Sequence, residues 1–215
     1  MVYQSTPWLK RYIKDLYCSL EHALMGAGTE RHAAAAGMAR EPQDQYSAMS
    51  HERAARAQKD GLFAEEIVPV IVPQRRGDDI VVSDDEGIRI GTSAETLAAL
   101  KGAFEQDGNV TAGNASQISD GGGATVVTTK AKAESLGIEP LCEIISYGEV
   151  SGPDTSLLTQ PSRATMVALE RAGLSLSDVD LFEFNEAFAA VALGSMADLS
   201  LPDDVVNVNG GAIAL

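Results

Sequence analysis

The chain has 215 residues, of which 45% are apolar, and this suits one large globular domain or two small ones. Its 31 acidic residues outnumber its 16 basic residues and give a net charge of −15, which disfavours binding to nucleic acids and anionic membranes. No stretch approaches the roughly twenty apolar residues of a membrane span, and the amino terminus lacks the apolar segment of a signal peptide. We therefore expect a cytoplasmic protein without a nucleic-acid or membrane partner.

The two cysteines, Cys18 and Cys142, fit a reducing compartment better than a disulfide framework. Neither has the spacing of a metal ligand, so we predict no metal site. Cys18 lies in residues 1–24, to which we assign no function. Nothing near it in the sequence supplies the helix amino terminus or the base that activates a thiolate, so we interpret Cys18 as an ordinary thiol.

Two helices are predicted after this first segment. Thr29 is a candidate cap for a helix over residues 30–38, whose alanines favour helical structure. Pro42 suits the first turn of a second helix, which is expected to end near Gly61.

Short strands and turns are predicted next. Residues 67–72 form an apolar stretch that Pro69 interrupts, which indicates a strand at a sheet edge, and residues 80–82 form another. The acidic run at 84–86 is interpreted as a solvated turn. Residues 110–116 are rich in small side chains and predict a turn that leads into a strand.

The second half alternates predicted strands and helices. Residues 124–129 are typical of a buried strand, and a helix over 130–136 should follow. Residues 141–145 indicate another strand, in which Cys142 is expected to be a small buried side chain. A helix bracketed by proline and glycine over 161–173 and a strand over 205–208 complete the pattern. Such alternation predicts an α/β protein with a layered sheet.

Residues 181–190 have a bulky aromatic half and a small alanine-rich half, which predicts a change from pleated to helical backbone near Asn185. In one interpretation, Asn185 and Glu186 cap the following helix, and the local pattern alone favours this one. In the other, Asn185 projects into a ligand site, because ligands of open α/β sheets lie beyond the carboxyl ends of the strands.

The sequence NEAFAA at residues 185–190 resembles the asparagine motif of the thiolases, the family of acetyl-CoA acetyltransferases and 3-ketoacyl-CoA thiolases. Three other stretches are similar to that family in order and approximate spacing: residues 61–70, 110–116 and 206–215. The similarity runs from about Met25 to the last residue. Four ordered matches are much more specific than any one of them.

The resemblance implies a thiolase-like layered αβαβα fold with a helical loop domain, incomplete at both ends. Residues 1–118 would form the loop-domain region, with 1–24 unassigned. Residues 119–137 would supply the last strand and helix of the N-terminal core domain. Residues 138–215 would form the first part of the C-terminal core domain.

The resemblance also implies an acyl-CoA C-acyltransferase, which condenses acetyl-CoA or cleaves acetoacetyl-CoA through an acyl-cysteine. Members of the family use a nucleophilic cysteine, a second cysteine as base, the histidine of a Gly-His-Pro motif and an asparagine that holds a water molecule. Of these four groups we identify only the asparagine, Asn185. We therefore expect an internal piece or a truncated gene product that is inactive alone. The alternatives are a non-catalytic relative that binds acyl-CoA or lipid, and a degenerate fragment.

By the same resemblance, the substrate and coenzyme A are expected to meet a set of seven residues: Met25, Arg89, Thr96, Phe104, Ala112, Ser116 and Phe188. Arg89 would meet the adenine-nucleotide end, and Ala112 and Ser116 the pantetheine arm. The chain departs from the family at Leu24, where a histidine is usual, and at Gln117, where glycine is usual and a bulky amide could narrow the pantetheine tunnel. Coenzyme A would be a substrate or product, with no separate cofactor, and the full-length parent is expected to be a homodimer or homotetramer.

Overall fold

The computed structural model describes Tyr17–Cys18 and residues 22–215, so the side chain of Cys18 and most of the unassigned first segment lie outside the described residues. The α-helices of the described part are α1 (Met25–Ala35), α2 (Arg40–Lys59), α3 (Ala94–Ala98), α4 (Lys130–Leu136), α5 (Gln160–Ala172) and α6 (Ala189–Leu199). Short 3-10 helices lie at Leu176–Asp178 and Asp203–Val205.

Two small antiparallel sheets are present in the described residues. Strand β1 (Tyr17–Cys18) pairs with β2 (Ala23–Leu24), and β3 (Val70–Val72) pairs with β4 (Ile80–Val82). A separate parallel bridge joins Phe182 to Val206 and connects the two most buried extended stretches of the second half.

The predicted helices α2, α4 and α5 are confirmed, and the ends of α4 and α5 are encoded by local signals. The Thr129 side chain accepts a hydrogen bond from the Lys132 amide at the start of α4. Helices α4 and α5 both stop at a glycine with left-handed backbone, Gly137 (φ 65°) and Gly173 (φ 68°). Pro161 lies in the first turn of α5, where its missing N–H costs little.

The predicted start of the first helix is wrong. Helix α1 begins at Met25, and Thr29 lies buried within it and does not cap it. The first turn of α1 packs closely against Phe104, because a Cβ at Gly26 would lie 1.9 Å from the Phe104 Cζ. The absence of a side chain at Gly26 lets the Phe104 ring rest against the first turn.

The buried strands predicted at 124–129 and 141–145 are also corrected. Both stretches are exposed and carry no strand, with Val126 at 96% exposure, and Cys142 is exposed as well. An apolar run becomes a buried strand only when neighbouring strands pair with it and cover it. Within the described residues neither stretch has such a neighbour.

Helix α6 lies at the centre of the fold and packs on two sides. One side joins a cluster that we call the Phe184 cluster: Tyr46, Phe182, Phe184, Ala189, Ala192, Met196, Leu199, Val206 and Ile213. The other side joins the Phe188 cluster: Ala33, Val110, Leu158, Phe188, Ala190 and Val191. A helix that is apolar on both sides is expected to be buried.

Two arginines of α2 attach the C-terminal segment to α2. Arg53 donates from Nη1 to the Val206 carbonyl (2.6 Å) and from Nη2 to the Asp203 carbonyl (2.8 Å). Arg56 Nη2 donates to the Val208 carbonyl at 2.8 Å. The segment that carries the parallel bridge is therefore fixed by charged donors as well as by packing.

A buried carboxylate fixes the loop before residue 111. Glu30 of α1 is 3% exposed and accepts hydrogen bonds from two successive backbone amides, those of Asn109 and Val110, both at 2.7 Å. These two bonds hold the loop against α1, next to the Phe188 cluster.

We expect Glu30→Gln to lower the free energy of unfolding by about 2 kcal/mol, because the amide nitrogen would face a backbone N–H donor that remains buried without an acceptor. Urea denaturation followed by circular dichroism measures this change. Glu52→Gln, at an exposed position of α2, is the matched control and should change the free energy of unfolding by less than about 0.5 kcal/mol. Equal effects of the two substitutions would contradict the assignment.

Candidate active site

Residues 181–186 form an extended stretch whose side chains alternate between solvent and core. Leu181, Glu183 and Asn185 are exposed, whereas Phe182, Phe184 and Glu186 are buried. This is the two-residue period of a strand with one face toward the core. It places a carboxylate on the same face as two phenylalanines.

The buried carboxylate of Glu186 is completely surrounded by donors. Its Oε1 accepts from the Tyr46 hydroxyl and the Asn207 Nδ2, both at 2.9 Å. Its Oε2 accepts from the Ser50 hydroxyl at 2.8 Å and the Ile213 amide at 3.0 Å. Burial, and secondarily the charge of Glu186, raise the pKa of the Tyr46 hydroxyl above its usual value, so Tyr46 remains a donor.

The capping interpretation of Asn185 and Glu186 is wrong. Helix α6 starts at Ala189 after Phe188, and no side chain caps it. The carboxylate of Glu186 is directed into the core, and successive side chains of extended backbone point to opposite sides. Burying Glu186 therefore directs Asn185 outward.

Asn185 lines a cavity of about 900 Å³, and Met25 lines the same cavity. The remaining lining residues are mostly apolar or small, and only Glu149 among them carries a charge: Gly148, Glu149, Val150, Ser151, Leu157, Gln160, Pro161, Ala164, Ala187 and Val191. A concave, mainly apolar site with a few polar groups is the usual form of a small-molecule site. The amide of Asn185 supplies both a donor and an acceptor to it.

Other predicted site residues lie next to this cavity. The rings of Phe104 and Phe188 meet edge to face, with centroids 6.5 Å apart. The Ser116 amide donates to the carbonyl of Ala187, a lining residue, at 3.1 Å. The structure therefore brings five predicted residues into one region: Met25, Phe104, Ser116, Phe188 and Asn185. Of these five, Met25 and Asn185 line the cavity itself.

The remaining three predicted residues lie away from the cavity lining. Thr96 belongs to α3, where its hydroxyl and that of Ser93 form a reciprocal capping box, so it has a structural role in the helix. Ala112 is exposed, within the turn that precedes Asn114. Arg89 is exposed in the loop after β4, and its backbone amide donates to the Nδ1 of His51 at 3.2 Å.

A buried network that the sequence pattern did not indicate shapes the turn around Ala112. The Asn114 side chain accepts from the Thr111 amide at 2.8 Å and donates to Asp44 Oδ1 at 3.0 Å. Asp44 in turn pairs with Arg40 at 2.6 Å within α2. An Asn three residues after a Thr, in a stretch of small residues, is the local signal for such a turn.

Within the described residues, no three His, Cys, Asp or Glu side chains are grouped so that they could hold a metal ion. None of the helices in that part of the chain combines the length and apolar character that crossing a membrane requires.

Comparison with known proteins identifies the family. Residues 2–131 match the N-terminal domain of the thiolases, and residues 138–215 match their C-terminal domain. The chain belongs to the thiolase family. Its structure accordingly has the thiolase fold over the matched region, which confirms the predicted thiolase-like fold class. The strands of the described residues form two-stranded sheets and isolated bridges, so the continuous layered sheet expected from the alternation of elements is not seen in that part of the chain.

Individual thiolases agree with this. A probable acetyl-CoA acetyltransferase of Mycolicibacterium smegmatis is 53% identical over 191 residues, which cover 89% of this chain and 49% of the relative. The crystal structure of the Bacillus anthracis acetyl-CoA acetyltransferase has a TM-score of 0.90 and 38% identity, over 95% of this chain and 52% of that one. The crystal structure of human mitochondrial 3-ketoacyl-CoA thiolase has a TM-score of 0.88 and 36% identity, and the match covers 95% of this chain and 51% of that one. The chain thus spans about half the length of the thiolases it matches.

For this thiolase chain, we expect Glu186→Gln to lower the free energy of unfolding by about 3 kcal/mol, because an amide cannot accept from all four buried donors. Glu183→Gln is the matched control: this exposed glutamate lies on the opposite face of the same stretch and should matter little. Chemical denaturation measures both. A loss for Glu186→Gln no larger than the control would contradict a structural role for the carboxylate.

The environment of His51 should make the stability of the fold depend on pH. Its burial, and then the charge of Arg89, lower the pKa of the imidazole, while Glu186 acts in the opposite direction. The unfolded chain, with a histidine pKa of about 6.5, therefore binds more protons than the folded one, so stability should decrease as the pH falls below that value.

His51→Asn retains an acceptor near Nδ1 but cannot become charged, so the decrease in unfolding free energy between about pH 7.5 and pH 5 should become shallower. His22→Asn, at an exposed position, is the control and should keep the wild-type slope. Thermal or urea unfolding across this pH range tests the expectation. An unchanged slope in His51→Asn would show that another group is responsible.

Proposed function

We propose that this chain provides the asparagine side of the catalytic site of an acyl-CoA C-acyltransferase, which forms or cleaves acetoacetyl-CoA through an acyl-cysteine. The observation that carries the proposal is the pair Glu186 and Asn185. The Glu186 side chain is held in the core by four hydrogen bonds. The neighbouring Asn185 side chain is thereby directed into the cavity that Met25 also lines.

The chemistry of the reaction explains the need for such an amide. Carbon–carbon bond formation requires a base to remove a proton from acetyl-CoA, and negative charge then develops on the thioester oxygen. A fixed amide that holds a water molecule near that oxygen stabilises the charge without reorganising during the reaction. In our proposal Asn185 has this role, and its effect is strengthened by the mainly apolar surroundings.

The other catalytic groups are proposed to come from outside these 215 residues. Cys142 is exposed and does not line the cavity, so it is poorly placed as a nucleophile or base for Asn185. His51 uses its Nδ1 to accept the Arg89 amide. We therefore assign the nucleophilic cysteine, the second cysteine and the Gly-His-Pro histidine to other parts of the full-length enzyme.

Substrate contacts are proposed in two groups. Met25, Phe104, Ser116 and Phe188 lie at or beside the cavity and would contact the acyl group and the pantetheine arm. Ala112, farther from the cavity lining, would also contact the pantetheine arm. Arg89 and Thr96 would contact the rest of coenzyme A, which is substrate and product and not a resident cofactor. We propose a homodimer or homotetramer for the full-length parent.

A chimera tests the role of Asn185. The pure chain should show no acetoacetyl-CoA thiolysis, whereas the Mycolicibacterium smegmatis relative with its matched 191-residue segment replaced by this one should be active. In the chimera, Asn185→Ala should lower kcat by about 100-fold, the usual cost of losing one oxyanion donor. Asn209→Ala, outside the cavity lining, is the matched control.

The outcomes separate the alternatives. Thiolysis by the pure chain would refute the assignment of the missing groups to other segments. A folded but inactive chimera that still binds coenzyme A would favour a non-catalytic acyl-CoA-binding relative. Equal kcat values for Asn185→Ala and the unsubstituted chimera would remove Asn185 from the catalytic site.

A further inference from the structure

The loop that carries Arg89 is held against the C-terminal segment by a single side-chain amide. Gln117 Nε2 donates to the carbonyls of Gly87 (2.8 Å) and Ala214 (2.9 Å), and also lies 3.2 Å from the Ile213 carbonyl. The Gln117 backbone amide donates to the Ala212 carbonyl at 3.3 Å. One residue thus connects two segments that are far apart in the sequence.

The contact at Gly87 is too close to admit a side chain. A Cβ there would lie 2.9 Å from both Gln117 Nε2 and the Ala214 carbonyl oxygen. The Gly87 amide donates to Asp85 Oδ1 at 2.8 Å, which closes the turn before it. The carbonyl of Gly87 is therefore aimed at Gln117 by the loop's own geometry.

A second contact fixes the same loop from the side of α2. His51 is 4% exposed, and its Nδ1 accepts the backbone amide of Arg89 at 3.2 Å. The loop is thus attached on either side of Ile88, by Gln117 at Gly87 and by His51 at Arg89. The Arg89 side chain itself is left exposed.

We propose that Gln117 and His51 are positioning residues that hold Arg89 toward a phosphate-bearing ligand, the nucleotide end of coenzyme A. The inference rests on the proposed function for the identity of the ligand, and goes beyond it by naming the two residues that set the affinity. Because the backbone of the loop is already held in place, binding has to order only the Arg89 side chain, which lowers the entropic cost.

Charge explains why positioning matters in this chain. The net charge of −15 repels a phosphorylated ligand, and three acidic residues, Asp84, Asp85 and Glu86, immediately precede the arginine loop. In a loop that moved freely, the Arg89 guanidinium could pair with these carboxylates in place of the ligand phosphate. Since thiolases usually have glycine at the position of Gln117, the side-chain clamp is a feature of this chain.

A double-mutant cycle on the whole chain tests the inference. Binding of coenzyme A is measured by calorimetry for the wild type, Gln117→Ala, Arg89→Ala and the double variant. Gln117→Ala should weaken binding by about two- to tenfold, the usual net effect of one hydrogen bond. Arg89→Ala should weaken it at least as much, and the double variant no further than Arg89→Ala.

Matched variants separate positioning from general stability. Gln45→Ala removes an exposed glutamine that donates to Glu41 in the same helix, and should bind like the wild type. His51→Leu, which removes the acceptor, should weaken binding, whereas His51→Asn should retain it. Hydrogen exchange of residues 84–91 should become faster in Gln117→Ala and in His51→Leu, but not in Gln45→Ala.

Each result has a distinct meaning. No binding of coenzyme A by the wild type would refute both the proposed ligand and this inference. If Arg89→Ala binds coenzyme A as tightly as the wild type does, Arg89 does not contact the ligand and its proposed role is overturned. Additive losses in the cycle, or unchanged exchange of residues 84–91 in Gln117→Ala, would overturn the positioning role while the proposed function stands.

Discussion

The structure depends on one buried carboxylate. Glu186 is fully buried, and no cationic side chain of the described residues forms an ion pair with it, an arrangement that would be strongly destabilising if its oxygens were not hydrogen-bonded. Four neutral donors from three parts of the chain compensate: Tyr46 and Ser50 of α2, Asn207 after the parallel bridge, and the Ile213 amide. Because these donors converge on one side chain, they fix the extended stretch 181–186, the C-terminal segment and α2 relative to one another. The outward direction of Asn185 is a consequence of this packing.

Buried carboxylates also hold two loop segments beside the site. Glu30 accepts two successive amides of the loop before residue 111, and Asp44 accepts from Asn114 in the turn that follows. Carboxylates suit this role because each offers two oxygens with several acceptor positions, so one side chain can satisfy more than one buried donor. Strands satisfy backbone groups through ladders, and here side chains of two helices do so in their place. The result is a site built from loops whose positions are nevertheless defined.

The sequence predicted those elements whose signals are local. Helices α4 and α5 have a capping threonine, an early proline or a terminal glycine in adjacent positions, and their bounds followed from these residues. The runs at 124–129 and 141–145 were predicted to be buried because they are apolar, but burial requires strands elsewhere in the chain, which no local pattern reveals. The local pattern alone favoured a helix cap for Glu186 for a similar reason. Its position two residues after Phe184 and four after Phe182 indicated the buried face, whereas the identity of its four donors depends on tertiary contacts.

Helix α2 contacts both Glu186, which directs Asn185, and the loop that carries Arg89, although its sequence looks like that of a solvated helix. Its buried face is largely polar, with Gln43, Asp44, Ser47, Ser50 and His51 all inside, which is why apolar periodicity did not show how much of it is buried. Tyr46 and Ser50 hold the carboxylate that directs Asn185, and the adjacent His51 holds the backbone of Arg89. A helix of twenty residues is a rigid body on the scale of these contacts. The separation between the asparagine and the arginine is therefore set by one helix, and the loops that carry the two residues only have to be attached to it. A substitution on the buried face of α2 should consequently disturb the stretch of Asn185 and the loop of Arg89 together. The Gln117 side chain instead joins the loop of Arg89 to the C-terminal segment, whose Ile213 amide donates to Glu186.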